Sequence, residues 1–168
     1  LFINNGYTLK NSSAAVRNNA LVGGLISNGH TVDVYTIRFP KERTSNFLNK
    51  GNIYYTEMPG MSANKKINDA IGKYEWLMKL KVNLHSFICF PDVYYKWIKL
   101  LKVTHIQQYD LMISSSDNKS SHFAAYEIKK HNPEITWIQI WGDPWYDDIN
   151  SFGILKRRIY RMEKKLLH

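Results

Sequence analysis

With 168 residues, 44% of them hydrophobic and 22% charged, the chain has the size and balance of one folded domain with a real core, which excludes a chain disordered throughout and leaves no room for two substantial domains. The single cysteine, Cys89, excludes an intramolecular disulfide and a cysteine-rich metal cage, and it suits a reducing compartment such as the cytoplasm. A formal net charge of +9 points to nucleic acid, an anionic membrane surface or phosphorylated small molecules as partners, with a merely solubilising surface as the plain alternative.

Residues 1–3, Leu-Phe-Ile, read as the end of a buried strand and pass at once into the polar loop 4–13, too short an apolar run for a signal peptide. Opening in mid-pattern without an initiator Met, the sequence reads as a piece of a longer protein. A helix is expected next. Ser12 or Ser13 supplies its N-cap, Leu21, Val22, Leu25 and Ile26 form an apolar stripe, and Gly29 stands where a left-handed residue ends a helix. The β-branched, alternating residues 30–36 make a second strand, so the unit is βαβ and the sheet is parallel.

Residues 38–52, with Pro40 and Gly51, read as a loop, and 53–56 as a short third strand. A mixed basic and apolar helix is expected over 64–90, interrupted at Pro91, and a further amphipathic helix over 92–108. A strand at 111–113 enters the polar run 114–121, a helix over 122–131 closes at Asn132-Pro133, and a strand at 137–140 leads through loop 141–150 to a last helix over 152–168. No apolar stretch approaches the roughly 20 residues of a membrane span. The alternation predicts a single Rossmann-like α/β domain, an α/β/α sandwich around a parallel sheet of about five strands.

Open parallel sheets bind ligands beyond the carboxyl ends of their strands, which gives weight to three loops. In the first, Asn11, Ser12 and Ser13 open a helix with small residues that let a phosphate or sugar near the backbone, and Arg17 can neutralise an anion; plain capping and solvation are the alternatives. Neither G-x-G-x-x-G nor G-x-x-x-x-G-K-[ST] occurs, so no dinucleotide cofactor or nucleoside triphosphatase is indicated. In the second, Ser115, Ser116 and His122 bring hydroxyls and an imidazole that suit a carbohydrate, against a capping serine and a satisfied buried histidine. In the third, Asp143 follows a strand beside Trp141 and Trp145. Two indoles lower the local dielectric, the setting of a general base, although Asp-Pro also begins turns and the indoles also suit packing or stacking on a sugar.

Several of these residues fall into a familiar series. Asn28 to Val34, N-G-H-T-V-D-V, resembles the R-G-H-x-V-x-V segment near the start of family-four glycosyltransferases. Pro91-Asp92 with Trp97, then Tyr109-Asp110-Leu111-Met112-Ile113-Ser114-Ser115-Ser116, then Pro133, Trp137 and Asp143-Pro144-Trp145, resemble the P-D-x-x-x-x-W, D-x-I-x-S-S and D-x-W series of bacterial members that build capsular, exopolysaccharide or O-antigen chains. The resemblance implies the N-terminal, acceptor-side half of a GT-B enzyme. Such an enzyme performs a retaining transfer of a sugar from a nucleotide-diphosphate donor, with no further cofactor or metal, to a glycan or polyprenyl-linked acceptor. It also implies that Asp143 holds the base or acceptor-orienting position, and that a second Rossmann domain with two glutamates eight positions apart, beyond this chain, grips the donor. This half alone is then inactive. Asn11-Ser12-Ser13 departs from the paired glycines of many relatives, which bears on contact with the donor phosphate.

Lysines interleave with aromatics at 73–81 and 96–102, and Lys156, Arg157, Arg158, Arg161, Lys164 and Lys165 crowd the last helix, a composition suited to peripheral attachment at an anionic membrane surface. An ordinary core stripe with a solvated basic face is the plain reading of that last helix. A basic nucleic-acid-binding module and a non-catalytic flavodoxin-like interaction domain are the rivals. The first lacks identifiable stacking motifs, and the six histidines show no metal-ligand spacing with carboxylates.

Overall fold

The computed structural model describes residues 1–44, 50–58, 88–116, 118–143, 145–146 and 153–167. Five parallel strands, β1 (Phe2–Ile3), β2 (Asp33–Ile37), β3 (Asn52–Thr56), β4 (Leu111–Ser116) and β5 (Thr136–Trp141), form one sheet in the order β3-β2-β1-β4-β5. Among the described residues four α-helices accompany them: α1 (Ser13–Ser27), α2 (Trp97–Leu100), α3 (Ser120–His131) and α4 (Gly153–Leu167). The fold is Rossmann-like α/β, as the alternation of elements predicts.

The strand order reverses between β1 and β4. From β1 the chain moves outward through β2 to β3, then returns to β4 on the other side of β1, where Phe2 pairs with Ile113 and Ile3 with Ser114. Such a reversal sends the connections to opposite faces and leaves a crevice at the carboxyl ends of the two central strands.

Side chains along each strand point alternately to the two faces. Ile3, Tyr35, Ile37 and Met112 face a core shared with Trp97, Ile106, Ala124 and Ala125, whereas Phe2, Val34 and Ile113 face one shared with Tyr7 and Val22 of the β1 loop and α1. A third cluster, Trp145 with Leu155, Ile159 and Leu166, seats α4.

Helix α1 begins as expected, with the Ser12 hydroxyl accepting the Ala15 N–H at 3.2 Å. It also ends as expected: Gly29 adopts φ +87°, and His30 N–H turns back to the Leu25 carbonyl at 3.1 Å. That return bond holds His30 to the helix, so β2 starts at Asp33 and not at residue 30. Gly51, at φ +78° ahead of β3, lies so near the Val32 carbonyl that a β-carbon there would stand 2.6 Å from its oxygen.

Two expectations are corrected. The helix predicted over 92–108 is a single turn, α2, followed by extended chain and a 3₁₀ turn at Ile106–Gln108. Val103 and Thr104 resist helix by their branched β-carbons, and His105 adopts a left-handed φ of +55°. The polar run expected as a loop from residue 114 instead lies within β4 as far as Ser116, because Ser115 and Ser116 pair with Ile140 and Trp141. Trp97, an aromatic of the basic stretch read as membrane-facing, is fully buried under the sheet, while Lys96, Lys99 and Lys102 stay in solvent. Most of the helix expected over 64–90, including the stretch 73–81, lies outside the described residues. No helix among the described residues is long and apolar enough to cross a membrane.

Candidate functional site

The loop leaving β1 is buried although it is polar. Asn4, Asn5 and Thr8 are all but inaccessible, and the side chains of Asn4 and Asn5 reach across the strand-order reversal. Asn4 Nδ2 donates to the Ser115 carbonyl at 2.5 Å, Asn5 Nδ2 to Ser120 Oγ at 2.7 Å, and the Asn5 N–H to Ser121 Oγ at 3.0 Å. From the α1 side, Asn18 Oδ1 accepts the Ser115 hydroxyl at 2.7 Å. Buried polar groups persist when paired, so these bonds turn the crevice between β1 and β4 into a fixed polar floor.

The start of α3 forms the second wall. Ser120 and Ser121, either of which could have been the capping serine, lie inside the helix, and Lys119 occupies the N-cap without a side-chain cap bond. A distant residue supplies it. Asp92 Oδ2 accepts the Ser120 N–H at 2.7 Å, and Asp92 Oδ1 accepts the Tyr94 N–H at 2.8 Å. Burial pushes the Asp92 carboxyl up from its ordinary value, against the pull of the Ser120 and Tyr94 N–H groups, the Ser120 hydroxyl and the nearby Lys119.

On the other face of β4, Ser114 Oγ lies 2.7 Å from His122 Nδ1 and accepts Trp137 Nε1–H at 2.8 Å. The His122 imidazole is inaccessible and overlaps the Trp141 ring at a centroid distance of 4.4 Å, and its Nε2 is buried without a partner. Burial, aided by the Lys119 charge, pushes His122 down to about 3. It is therefore uncharged at neutral pH, and a catalytic role that requires imidazolium does not suit it.

The loop after β5 is tied to this wall through Lys119, whose Nζ donates to the Asp143 carbonyl at 2.9 Å and lies 5.0 Å from the Trp141 ring centroid. The Asp143 side chain is exposed, which corrects the low-dielectric setting expected from its flanking indoles. The reason is directional. Trp145 turns inward to pack against Phe90, Phe123, Leu155 and Ile159 as a core residue, and Trp141 lies over His122, so neither indole shields the carboxylate.

The sequence-predicted residues thus fall into three groups. Ser115, His122 and Trp141 all lie near the ends of β4 and β5 but on two faces of the sheet: the Ser115 hydroxyl turns to Asn18 of α1, whereas His122 and Trp141 overlap on the Ser114 face, with Asp143 at the rim. Asn11 and Ser13 are exposed at the mouth of α1 with Ser12 half-buried between them, and Arg17 is exposed a turn further on. Trp145 belongs to the core. Ser116 ends β4 beside Trp141, its side chain outside the described set, as are Asp117 and Pro144. Asn4, Asn5, Asn18 and Lys119 carry no local sequence signal of a site, and Asp92 stands out only within the P-D-x-x-x-x-W motif. Their roles arise from partners up to 116 residues away.

A cavity of about 790 Å³ opens at the opposite end of the sheet, where the strands begin, lined by His30, Asp33, Asn52, Tyr109 and Leu111 among others. Asp33 within it is already satisfied by Asn52 Nδ2 and the Tyr109 hydroxyl, each at 2.8 Å. The polar floor at the carboxyl ends is the better candidate because unpaired buried polar atoms lie there. Among the described residues, no group of three or more His, Cys, Asp or Glu side chains could hold a metal ion. No protein-family model matches the chain, and no curated protein or solved structure matches it either.

Proposed function

We propose that the chain is the acceptor-binding half of a retaining glycosyltransferase of the GT-B kind, one that moves a sugar from a nucleotide-diphosphate donor to a glycan or lipid-linked acceptor. The observation that carries the reading is the convergence, at the carboxyl ends of β1, β4 and β5, of a buried amide and hydroxyl floor with an indole and a rim carboxylate. Amides, hydroxyls and a flat aromatic face are the groups that recognise an uncharged polyol, whose oxygens need directional partners and whose C–H faces need an apolar surface.

In this reading Asp143 orients or deprotonates the acceptor hydroxyl. Its carboxylate is hydrated in the isolated chain, and a second α/β domain closing over the rim would exclude that water and sharpen the interaction. The same second domain holds the donor, which leaves this half alone without transfer activity. The enzyme works in the cytoplasm, and a lipid-linked acceptor brings it to the inner membrane surface, where the basic residues of α4 meet anionic headgroups. Nucleic acid is the weaker partner, because the basic residues are spread over several elements and carry no stacking motif.

The test uses the protein carrying both halves. Asp143→Asn should lower turnover about a hundred-fold or more while leaving the unfolding midpoint near that of the parent, the range expected for a lost proton-transfer group. Undiminished transfer in that variant removes Asp143 from the mechanism.

A further inference from the structure

The Trp137–Ser114–His122 chain fixes which ring nitrogen of His122 carries the proton. An indole N–H only donates, so Trp137 occupies a lone pair of Ser114 Oγ and leaves the serine hydrogen to be placed. If Ser114 donates to His122 Nδ1, the imidazole proton sits on Nε2 and one buried donor lacks a partner. If Nδ1 carries the proton instead, the serine hydrogen loses its one recorded acceptor and Nε2 is left as a bare acceptor, so two buried groups are orphaned. A buried polar group without a partner is costly, so the arrangement with one orphan is favoured over the one with two, which selects the Nε2–H form.

What remains is an uncharged N–H donor, inaccessible to solvent, on a ring overlapped by the Trp141 indole near the carboxyl end of β4. The charged groups around it are mutually engaged. Lys119 donates to the Asp143 carbonyl and lies against Trp141, and it interacts electrostatically with Asp92, whose carboxylate holds the Ser120 N–H. A neutral donor bordered by an aromatic face, with the neighbouring Lys119 ammonium already engaged, suits an uncharged oxygen.

We propose that His122 offers its Nε2–H as a fixed, uncharged donor to a hydroxyl or ring oxygen of the bound acceptor sugar, with the Trp141 indole as the cover that the sugar displaces. This rests on the sugar-site reading above and adds to it the residue, the nitrogen and the kind of atom recognised. Trp141 stands at the last position of β5, half-buried and next to exposed Gly142, so displacing it costs the bond from its N–H to Gln139 Oε1 at 3.0 Å and leaves the rest of the strand paired.

Nitrogen NMR of the chain labelled in histidine tests this directly. At neutral pH, His122 should show a protonated Nε2 and a bare Nδ1, and this pattern should persist to pH 5, where exposed histidines are charged. Adding a panel of simple saccharides (glucose, galactose and N-acetylglucosamine) should move the Nε2–H signal and the Trp141 indole signal together, whereas inorganic phosphate should move neither. Ser114→Ala should release the tautomer and abolish the saccharide response of His122, with dispersion of the backbone amide spectrum reporting that the fold survives. Should that variant unfold, Trp137→Phe, which removes only the first donor of the chain, serves in its place. An Nδ1–H tautomer, ordinary titration of His122, or a response to phosphate alone would overturn the proposal. Saccharide shifts at Trp141 and Asp143 without any at His122 Nε2 would overturn it while sparing the sugar site, and no saccharide shift anywhere would count against both.

Discussion

Asp92 and Ser120 are 28 positions apart in the chain, yet the carboxylate of the first accepts the backbone N–H of the second at 2.7 Å and so caps α3 from outside the helix. The same carboxylate takes the Tyr94 N–H on its other oxygen, and Ser120 Oγ accepts Asn5 Nδ2. Asp92 and Ser120 together therefore join the stretch before α2, the amino end of α3 and the loop after β1.

Asp92→Asn should expose that dependence. The amide keeps one accepting oxygen and presents an NH₂ group where the carboxylate accepted an N–H, leaving one buried donor unpaired. A loss of about 1–3 kcal/mol is expected from urea unfolding at neutral pH. A variant as stable as the parent would mean that water satisfies the Ser120 N–H equally well.

The pH dependence of stability should carry the mark of His122. Its folded-state value, about 3, lies below the ordinary 6.5, so between those values the unfolded chain binds more protons than the folded one. The stabilisation is fully present above pH 6.5 and is lost as the pH falls toward 3, by about 1.4 kcal/mol per pH unit. Asp92 runs the other way. Raised above its usual value of 3.8, it favours the folded state at the acid end, and that contribution is lost as the pH rises through its folded value. His122→Gln should flatten the slope between pH 6.5 and 5 in a series of denaturation curves. An unchanged slope would place the parent's acid sensitivity elsewhere.

The two left-handed glycines should differ in what alanine does to them. Around Gly29 there is open space, so Gly29→Ala bears only the left-handed backbone strain of about 1–2 kcal/mol. At Gly51 the added carbon would also meet the Val32 carbonyl at 2.6 Å, so the turn ahead of β3 must shift as well, and the loss should exceed that at Gly29. Thermal melts of the two variants give the comparison.

Trp145→Ala separates a packing residue from a sugar platform. With its ring buried among Phe90, Phe123 and the α4 residues Leu155 and Ile159, truncation should destabilise the fold by about 3–5 kcal/mol in chemical denaturation. A variant of undiminished stability would return Trp145 to the list of ligand contacts.

The fold was legible in the sequence wherever local signals and tertiary packing agreed. The β-branched runs at β2 and β5, the Ser12 cap and Gly29 each specify their element within a few residues. Reading failed where an element depends on a distant partner. Ser114, Ser115 and Ser116 have the look of a loop, and only pairing with β5, together with acceptors on Asn18 and His122, makes them strand. The 92–108 stretch has helical periodicity, but Trp97 satisfies its apolar side chain in the main core and the helix stops at Leu101, whose backbone is extended. In the site, residue types suggested hydrogen bonding to an uncharged ligand, whereas the Asp92 cap and the Asn4–Ser115 and Asn5–Ser120 bridges depend on a three-dimensional closeness that no spacing announces.

The central claim is that ligands meet this chain at the carboxyl ends of its strands. Backbone amide NMR during a saccharide titration tests it most directly. Shifts gathered on Asn4, Asn5, Ser115, His122, Trp141 and Asp143 are the predicted result. Shifts gathered instead on His30, Asp33, Asn52 and Tyr109, around the cavity at the other end of the sheet, would contradict it.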